Sequence, residues 1–296
     1  MKAFNSISNL IKIYYGLAKP ERTFTNVLTA LAGFLFASEF VLGKWLYLWM
    51  AVYLLGGLTL IIGSANVLNN YIDKDLDQKM ARTRKRALPS GQISARASIV
   101  YATVLGLLGF WLLLYTNWLT IGIIAAAYFW YVAVYGYAKR HTVYSTLIGT
   151  VPGGASIVAG YTAYTGKLDL AALILFLMML GWQMVHFYAI AIYRLKDYKA
   201  ARIPLLPARR GLQVTKKYML AFTALFIFVV SLLKWKDYTG YTYLAAMLFL
   251  SLIWLHQVIQ GFTTQDNERW AKEVFKFSLV VLLGMCVMVA VGPILP

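Results

Sequence analysis

Long apolar runs broken by short polar segments dominate the chain, and the breaks recur at about the thickness of a bilayer. Windows of about 20 residues, the helical length that crosses a hydrocarbon core, predict nine spans. They lie near 23–42, 45–69, 97–115, 118–138, 143–163, 168–192, 217–233, 239–260 and 274–294. The predicted class is all-α: a polytopic membrane protein with about nine transmembrane helices in a single bundle around a cytoplasm-facing cavity. Residues 1–20 place Lys2, Lys12 and Lys19 around a short amphipathic segment with no cleavable signal pattern, so an interfacial helix is expected there. Residues 1–296 read as one membrane-embedded domain, with cytoplasmic loops at 70–96 and 193–216.

Composition agrees: 60% of residues are hydrophobic and the mean hydropathy is +0.65, values that belong to a membrane-embedded chain. The net charge of +17 raises the question of nucleic acid, but its distribution excludes that partner. With the N-terminus cytoplasmic, 24 Lys and Arg fall on that side and only Lys44, Lys167, Lys234 and Lys236 on the other. So uneven a split follows the positive-inside rule and supports an odd number of spans. The expected surroundings are the lipid bilayer, with a bacterial-type inner membrane favoured by this orientation. Cys286 is the single cysteine, which leaves neither a disulfide framework nor a cysteine metal site.

The most informative departure from apolarity is NVLNNYIDKDLDQKMARTRKR at 66–86. Asn66, Asn69, Asp73 and Asp77 follow at spacings of 3, 4 and 4, which puts them on one helix face, with Asp75 on the opposite side. A row of amides and carboxylates at the mouth of a membrane helix is costly to keep and marks a site. Carboxylates one turn apart suit a hard divalent cation that also grips phosphate. Arg82 and Arg86, with Arg84 and Lys85 beside them, suggest a diphosphate held from both sides. The blander alternative makes the acids a helix-end cap and the arginines a topology signal.

The sixth span repeats this plan. Trp182 to Phe187 lies in its inner half, and YRLKDY at 193–198 ends it, with Asp197 standing 120 residues after Asp77. Leu206-Pro207 and Gly211 echo Leu88-Pro89 and Gly91, a weak internal repeat that predicts two half-bundles facing one cavity. Asp197 would then join a second metal ion, while Arg194, Lys196, Lys199 and Arg202 would hold phosphates. His186, about three turns deeper, is either a site residue or a hydrogen-bonded core histidine. Lys19 could reach a phosphate or act as a snorkelling anchor. Tyr128, Trp130, Tyr131, Tyr135 and Tyr137 form an interfacial belt, or some of them line a pocket whose π faces stabilise a cation. Pro152-Gly153-Gly154 and Gly160 permit kinks and close helix approach. Ser94 is expected to cap the third span. The last three spans read as packing helices, with His256 structural.

On these residues the chain resembles the UbiA-type intramembrane prenyltransferases, and within them the protoheme IX (haem O synthase) branch. The resemblance covers nearly the full length. It is carried by residues 69–94, with the NxxxDxxxD core that marks the superfamily, by 137–161, and by WQMVHFYAIAIYRLKDYKAARIPLLP at 182–207, which is particular to the haem branch. Val185 stands where the family commonly has a proline before the histidine, and Ala87 replaces a proline after Arg86. The resemblance implies transfer of a farnesyl group from farnesyl diphosphate to a vinyl group of haem B, with water added, giving haem O. It implies Mg²⁺ held by Asn69, Asp73, Asp77 and Asp197, and diphosphate bound by Arg82, Arg86, Arg194, Lys196 and Lys139. Asn66 and His186 would orient the acceptor, and haem B enters as substrate, with a haem A synthase or terminal oxidase assembly downstream. Two other readings stay open: prenylation of a quinone precursor or other aromatic acceptor, and an ion-coupled transporter, which predicts ion flux without diphosphate release.

Overall fold

The computed structural model describes residues 2–39 and 45–296, with side chains from residue 10 onward. Lys44, the Lys2 side chain and the predicted end of the first span lie outside the described residues. Among the described residues all regular structure is helical. In order the helices are α1 Lys2–Leu17, α2 Pro20–Ser38, α3 Trp45–Ile72, α4 Lys74–Lys79, α5 Ala95–Leu113 and α6 Trp118–His141. There follow α7 Ser145–Thr165, α8 Leu170–Tyr193, α9 Leu195–Ala200, α10 Leu206–Arg209, α11 Leu212–Trp235, α12 Tyr241–Gln260 and α13 Asn267–Val291. Seven of them are long and apolar enough to cross a membrane: α3, α5, α6, α8, α11, α12 and α13. The helices α2 and α7 have 19 and 21 residues and occupy the other two predicted spans. Their lower apolarity has a cause: Thr25, Asn26, Thr29, Ser145, Thr146 and Ser156 on these two helices face a central cavity.

Local chemistry sets the helix ends. Pro20 opens α2 at a position where its missing N–H costs no hydrogen bond. Ser94 caps α5, its hydroxyl accepting from the Ala97 N–H at 3.1 Å, as its position before the third span predicts. Asn117 and Asp169 cap α6 and α8 in the same way, accepting from Thr120 and Ala172. α11 and α13 begin five and seven residues before the apolar windows predict, at Leu212 and Asn267 rather than 217 and 274. Their first turns carry polar residues that a hydropathy window discards although the helix continues through them.

Helix α8 is the central post, packed between α7, α11 and α13. Its residues Leu175, Met178, Val185 and Tyr188 sit in the largest apolar cluster. The tightest crossings depend on missing side chains. A Cβ on Gly160 of α7 would stand 1.8 Å from the Ala30 carbonyl oxygen of α2, and one on Gly33 would stand 2.1 Å from that of Ile157. These two glycines let α2 and α7 touch backbone to backbone. The α3–α5 pair uses Gly57 and Gly109, where a Cβ on Gly109 would meet the Gly57 carbonyl at 2.9 Å.

Gly160→Ala must therefore push α2 from α7, and is expected to destabilise the fold by about 1–3 kcal/mol. Gly122→Ala, with open space around its Cβ, is the matched control and should be neutral or slightly stabilising. Thermal unfolding in detergent reads both; equal midpoints would refute the crossing argument.

Candidate active site

The polar row on α3 arrives intact at the end of the bundle that carries α4. Helical hydrogen bonding continues across the α3–α4 junction: the Asp73 N–H donates to the Asn69 carbonyl at 2.9 Å and the Asp77 N–H to that of Asp73 at 2.8 Å. Asn66, Asn69, Asp73 and Asp77 consequently line one cavity, and both aspartates are 3% exposed. Asp75 faces the other way, as its register predicts. It is held by Arg140 through two hydrogen bonds of 2.7 Å, and that guanidinium also donates to the Ile72 carbonyl.

Each buried carboxylate has a cation. Lys139, from the end of α6, pairs with Asp73 through Oδ2, and Arg86 Nη1 donates to Asp77 Oδ2 at 2.8 Å. The Thr83 hydroxyl donates to the Asp77 carbonyl at 2.9 Å and folds the segment after α4 back over the cavity. That fold delivers Arg82 and Arg86 to the mouth. The pairing is incomplete. Asp73 Oδ1 and Asn69 Nδ2 are buried with no hydrogen-bond partner. Orphaned polar atoms in a dry site call for an explanation.

Five basic side chains line the cavity, Lys19, Arg22, Arg82, Arg86 and Lys139, against the two carboxylates of Asp73 and Asp77. Burial first, then the positive charges of Arg22, Arg86 and Lys139, push the Lys19 ammonium well below the usual lysine range. Lys19 also holds φ 51°, in the left-handed region, which is unusual for a residue other than glycine. Two amides of α3 fix the backbone leading to it: Asn66 Nδ2 donates to the Ala18 carbonyl and Asn70 Nδ2 to that of Leu17, each at 3.0 Å.

The predicted site residues divide accordingly. Asn69, Asp73, Asp77, Arg82, Arg86, Lys139 and His186 share the cavity. Asn66 lines it as well, with its amide nitrogen donating to the Ala18 carbonyl. Lys196 is turned outward: its side chain is 95% exposed and lies 3.5 Å from Glu268. Arg194 lies over the Tyr193 ring, 4.8 Å from its centroid, and is not among the cavity residues. Asp197 approaches Arg82 Nε at 4.0 Å. It does not close with Asp73 and Asp77, and no cluster of three His, Cys, Asp or Glu suited to a metal exists among the described residues. The geometric reason is the turn at Arg194, which ends α8 before α9 begins at Leu195.

Three cavity residues had no distinct reading in the sequence. Arg22 sits at the entry to the first span, Asn26 falls inside an apolar run, and Gln183 donates to the Thr150 and Met179 carbonyls. Only their α-helical register on the inner face could have found them. Of the aromatic group, Tyr128, Tyr131 and Tyr135 line the cavity whereas Trp130 and Tyr137 do not. A π-helical turn over Trp130–Tyr135 brings the Tyr131 and Tyr135 rings into a stack 5.6 Å apart; such turns recur at functional sites. Deeper in, Trp182, Gln183, His186 and Phe187 of α8 are joined by Leu282 of α13. Helix α13 thus contributes to the site as well as to packing.

The sequence profile of the UbiA prenyltransferase family matches residues 26–280. Proteins named protoheme IX farnesyltransferase from Citrobacter koseri and Cronobacter sakazakii are 40% identical over 289 residues. That stretch is 97% of this chain and 96–97% of theirs. A digeranylgeranylglyceryl phosphate synthase shares the fold at a TM-score of 0.78 with 20% identity, over 96% of this chain and 98% of its own. A UbiA homologue from Archaeoglobus fulgidus, bound to GPP and Mg²⁺, aligns at 0.64 and 15% identity, over 93% and 99% of the two chains.

The two kinds of ion pair predict different responses. Lys139→Met leaves a buried carboxylate unpaired and is expected to destabilise by about 3 kcal/mol. Asp75→Asn, at a largely exposed pair, should change stability by less than about 1 kcal/mol. The hydrogen bond from Arg140 lowers the Asp75 carboxyl to about 2 from 3.8. Its contribution is therefore full above pH 3.8 and is lost as pH falls through about 2. Denaturation of wild type and Asp75→Asn across that window should show their difference closing, and a difference that persists at the acid end would contradict the pairing.

Proposed function

Because this chain belongs to the UbiA prenyltransferase family, we infer that it transfers a farnesyl group from farnesyl diphosphate to a vinyl group of haem B. Water is added in the same reaction, and the products are haem O and diphosphate. The observation that carries this reading is the basic lining of the cavity: five basic side chains face two carboxylates at the mouth of an apolar interior. A buried surplus of positive charge is unfavourable alone and favourable once a polyanion enters. The identity to protoheme IX farnesyltransferases over almost the whole length supports the acceptor.

Asp73, Asp77 and Asn69 fit a divalent cation. Asp73 Oδ1 has no other partner, and the Asn69 amide, which makes no hydrogen bond among the described residues, has its oxygen free for the ion. When bound there, Mg²⁺ would neutralise charge on the diphosphate oxygens as a Lewis acid. Arg86 and Lys139, paired with carboxylates in the resting site, can turn to the diphosphate, joined by Lys19, Arg22 and Arg82. Charge-assisted hydrogen bonds in a water-poor site stabilise the anion that develops as the C–O bond breaks. The faces of Tyr128, Tyr131 and Tyr135 suit the allylic cation left behind. The vinyl carbon of haem B supplies the electron pair for the new C–C bond, and water then captures the porphyrin-borne cation and releases a proton. Asn66 contributes by holding the turn that presents Lys19, and Asp197 by restraining Arg82. The excess of Lys and Arg in the loops at this end supports a cytoplasmic orientation for it and for the N-terminus, in a bacterial inner membrane. The product suits a haem A synthase or a terminal oxidase assembly as the next partner.

Purified protein incubated with farnesyl diphosphate, Mg²⁺ and haem B should form a product with the mass of haem O, while an aromatic acid in place of haem B should not react. Chelation of the metal should stop turnover and added Mg²⁺ restore it. Asp73→Asn or Asp77→Asn should lower the rate by about 100-fold or more, the scale of several kcal/mol of electrostatic stabilisation. Lys196→Ala and Asp75→Asn, turned away from the cavity, should stay within about twofold of wild type. Unimpaired turnover by Asp73→Asn would remove the proposed cation site.

A further inference from the structure

His186 stands in the inner half of the cavity, buried in a setting that fixes both ring and proton. Its imidazole stacks on Trp182 with centroids 4.7 Å apart and meets Phe275 at 5.0 Å. Its Nδ1 lies 2.6 Å from Ser278 Oγ on α13, while Ser278 Oγ donates to the Phe275 carbonyl at 2.6 Å. A serine hydroxyl has one proton. With that proton committed to a carbonyl, which only accepts, the contact to His186 requires Nδ1–H as donor and Ser278 Oγ as acceptor. Trp182 Nε1 locks the same turn by donating to the Ser278 carbonyl at 2.7 Å. The neutral ring then carries its lone pair on Nε2. That nitrogen makes no hydrogen bond among the described residues and is not one of the sealed, unpartnered polar atoms, so its free surface opens to the cavity that His186 lines.

We propose that Ser278 is a positioning residue that holds His186 as the Nδ1–H tautomer, so that Nε2 ligates the iron of the haem B acceptor. A histidine that binds a metal through one nitrogen and donates the other N–H to a fixed acceptor is the general arrangement that orients the ring and strengthens the ligand. Axial ligation by one histidine is a common way to hold haem iron, and here it would fix the porphyrin plane within the cavity whose mouth the charged residues occupy. The proposal rests on the haem-acceptor reading above and adds the atom that seats the acceptor.

Resonance Raman and absorption spectra of ferrous haem B on the full-length protein in detergent test it, beside turnover to haem O. Wild type should show an iron–histidine stretch that His186→Ala abolishes. Ser278→Ala should keep histidine ligation but shift that stretch and weaken haem B affinity by about 10-fold or more, and Ser278→Thr, which keeps the hydroxyl, should restore both. If Ser278→Ala does not fold, His186→Gly with added imidazole takes its place: restored ligation supports the iron site. A wild-type complex that makes haem O but lacks histidine ligation, or a His186→Ala spectrum identical to wild type, overturns the proposal and leaves the proposed function standing. The proposal is equally overturned if Ser278→Ala moves neither the stretch nor the affinity. Absence of any product from haem B would overturn both.

Discussion

The site depends on how two carboxylates are accommodated inside a membrane protein. Moving an ion into a low-dielectric interior carries a penalty of several kcal/mol even after relaxation. Asp73 and Asp77 are 3% exposed, and Lys139 and Arg86 meet them directly. Neutralisation does not end there, since Lys19, Arg22 and Arg82 share the same space without a carboxylate of their own inside it. A protein that needed only a polar helix cap would balance its charges. The surplus makes sense as one half of a complex whose other half is an anion, and the cations that hold the acids at rest are those placed to receive it.

The scaffold serves that charge cluster in ways that would otherwise be defects. Helices α2 and α7 are less apolar than the other seven predicted spans, and they are the ones that give threonines, serines and Asn26 to the cavity wall. They remain in the bundle because Gly33 and Gly160 bring their backbones together and bury what apolar surface they have. Lys19 takes a strained backbone conformation at the head of α2, and the amides of Asn66 and Asn70 hold the carbonyls before it. Strain of this kind persists where surrounding contacts over-determine it. The polar row of α3 thus divides its work. Its first amide braces the loop that carries a cation, and its later members face the place where that cation is needed.

Much of this was legible in the sequence. Nine apolar windows locate the nine long helices among the described residues, with starts displaced by as much as seven residues, and the 3, 4, 4 spacing puts Asn66, Asn69, Asp73 and Asp77 in one cavity because helical bonding survives the junction at Asp73. What a periodic reading cannot supply is the direction of a long side chain after a turn. Lys196 follows Arg194, where α8 stops, and the few residues of α9 rotate it toward solvent and Glu268. Arg22 shows the converse: it stands at the entry to the first span with no distinguishing pattern around it, yet its helix packs inward and carries it to the cavity. Amide roles were hidden for a further reason. Asn66 and Asn70 find their partners 48 and 53 residues away, and no local pattern records a contact with a backbone carbonyl at that separation.

Depth orders the chemistry. A rise of about 1.5 Å per residue sets His186 roughly 12 Å along α8 from its end at Arg194, on the apolar side of the charged mouth. A diphosphate is not drawn with its isoprenoid tail past that mouth, because the wall beyond, with Met179, Trp182, Gln183, Phe187 and Leu282, offers it no carboxylate-bound cation and no lysine or arginine of its own. The carbon bonded to the leaving oxygen is thereby held at the boundary between the two regions. An acceptor that reacts with it must present its electron-rich carbon at the same level while resting its body on the apolar wall, and a flat, largely apolar ring system seated beside α8 satisfies both demands. Water needed after carbon–carbon bond formation can enter from the polar mouth, past the tyrosines of α6 that line the same cavity.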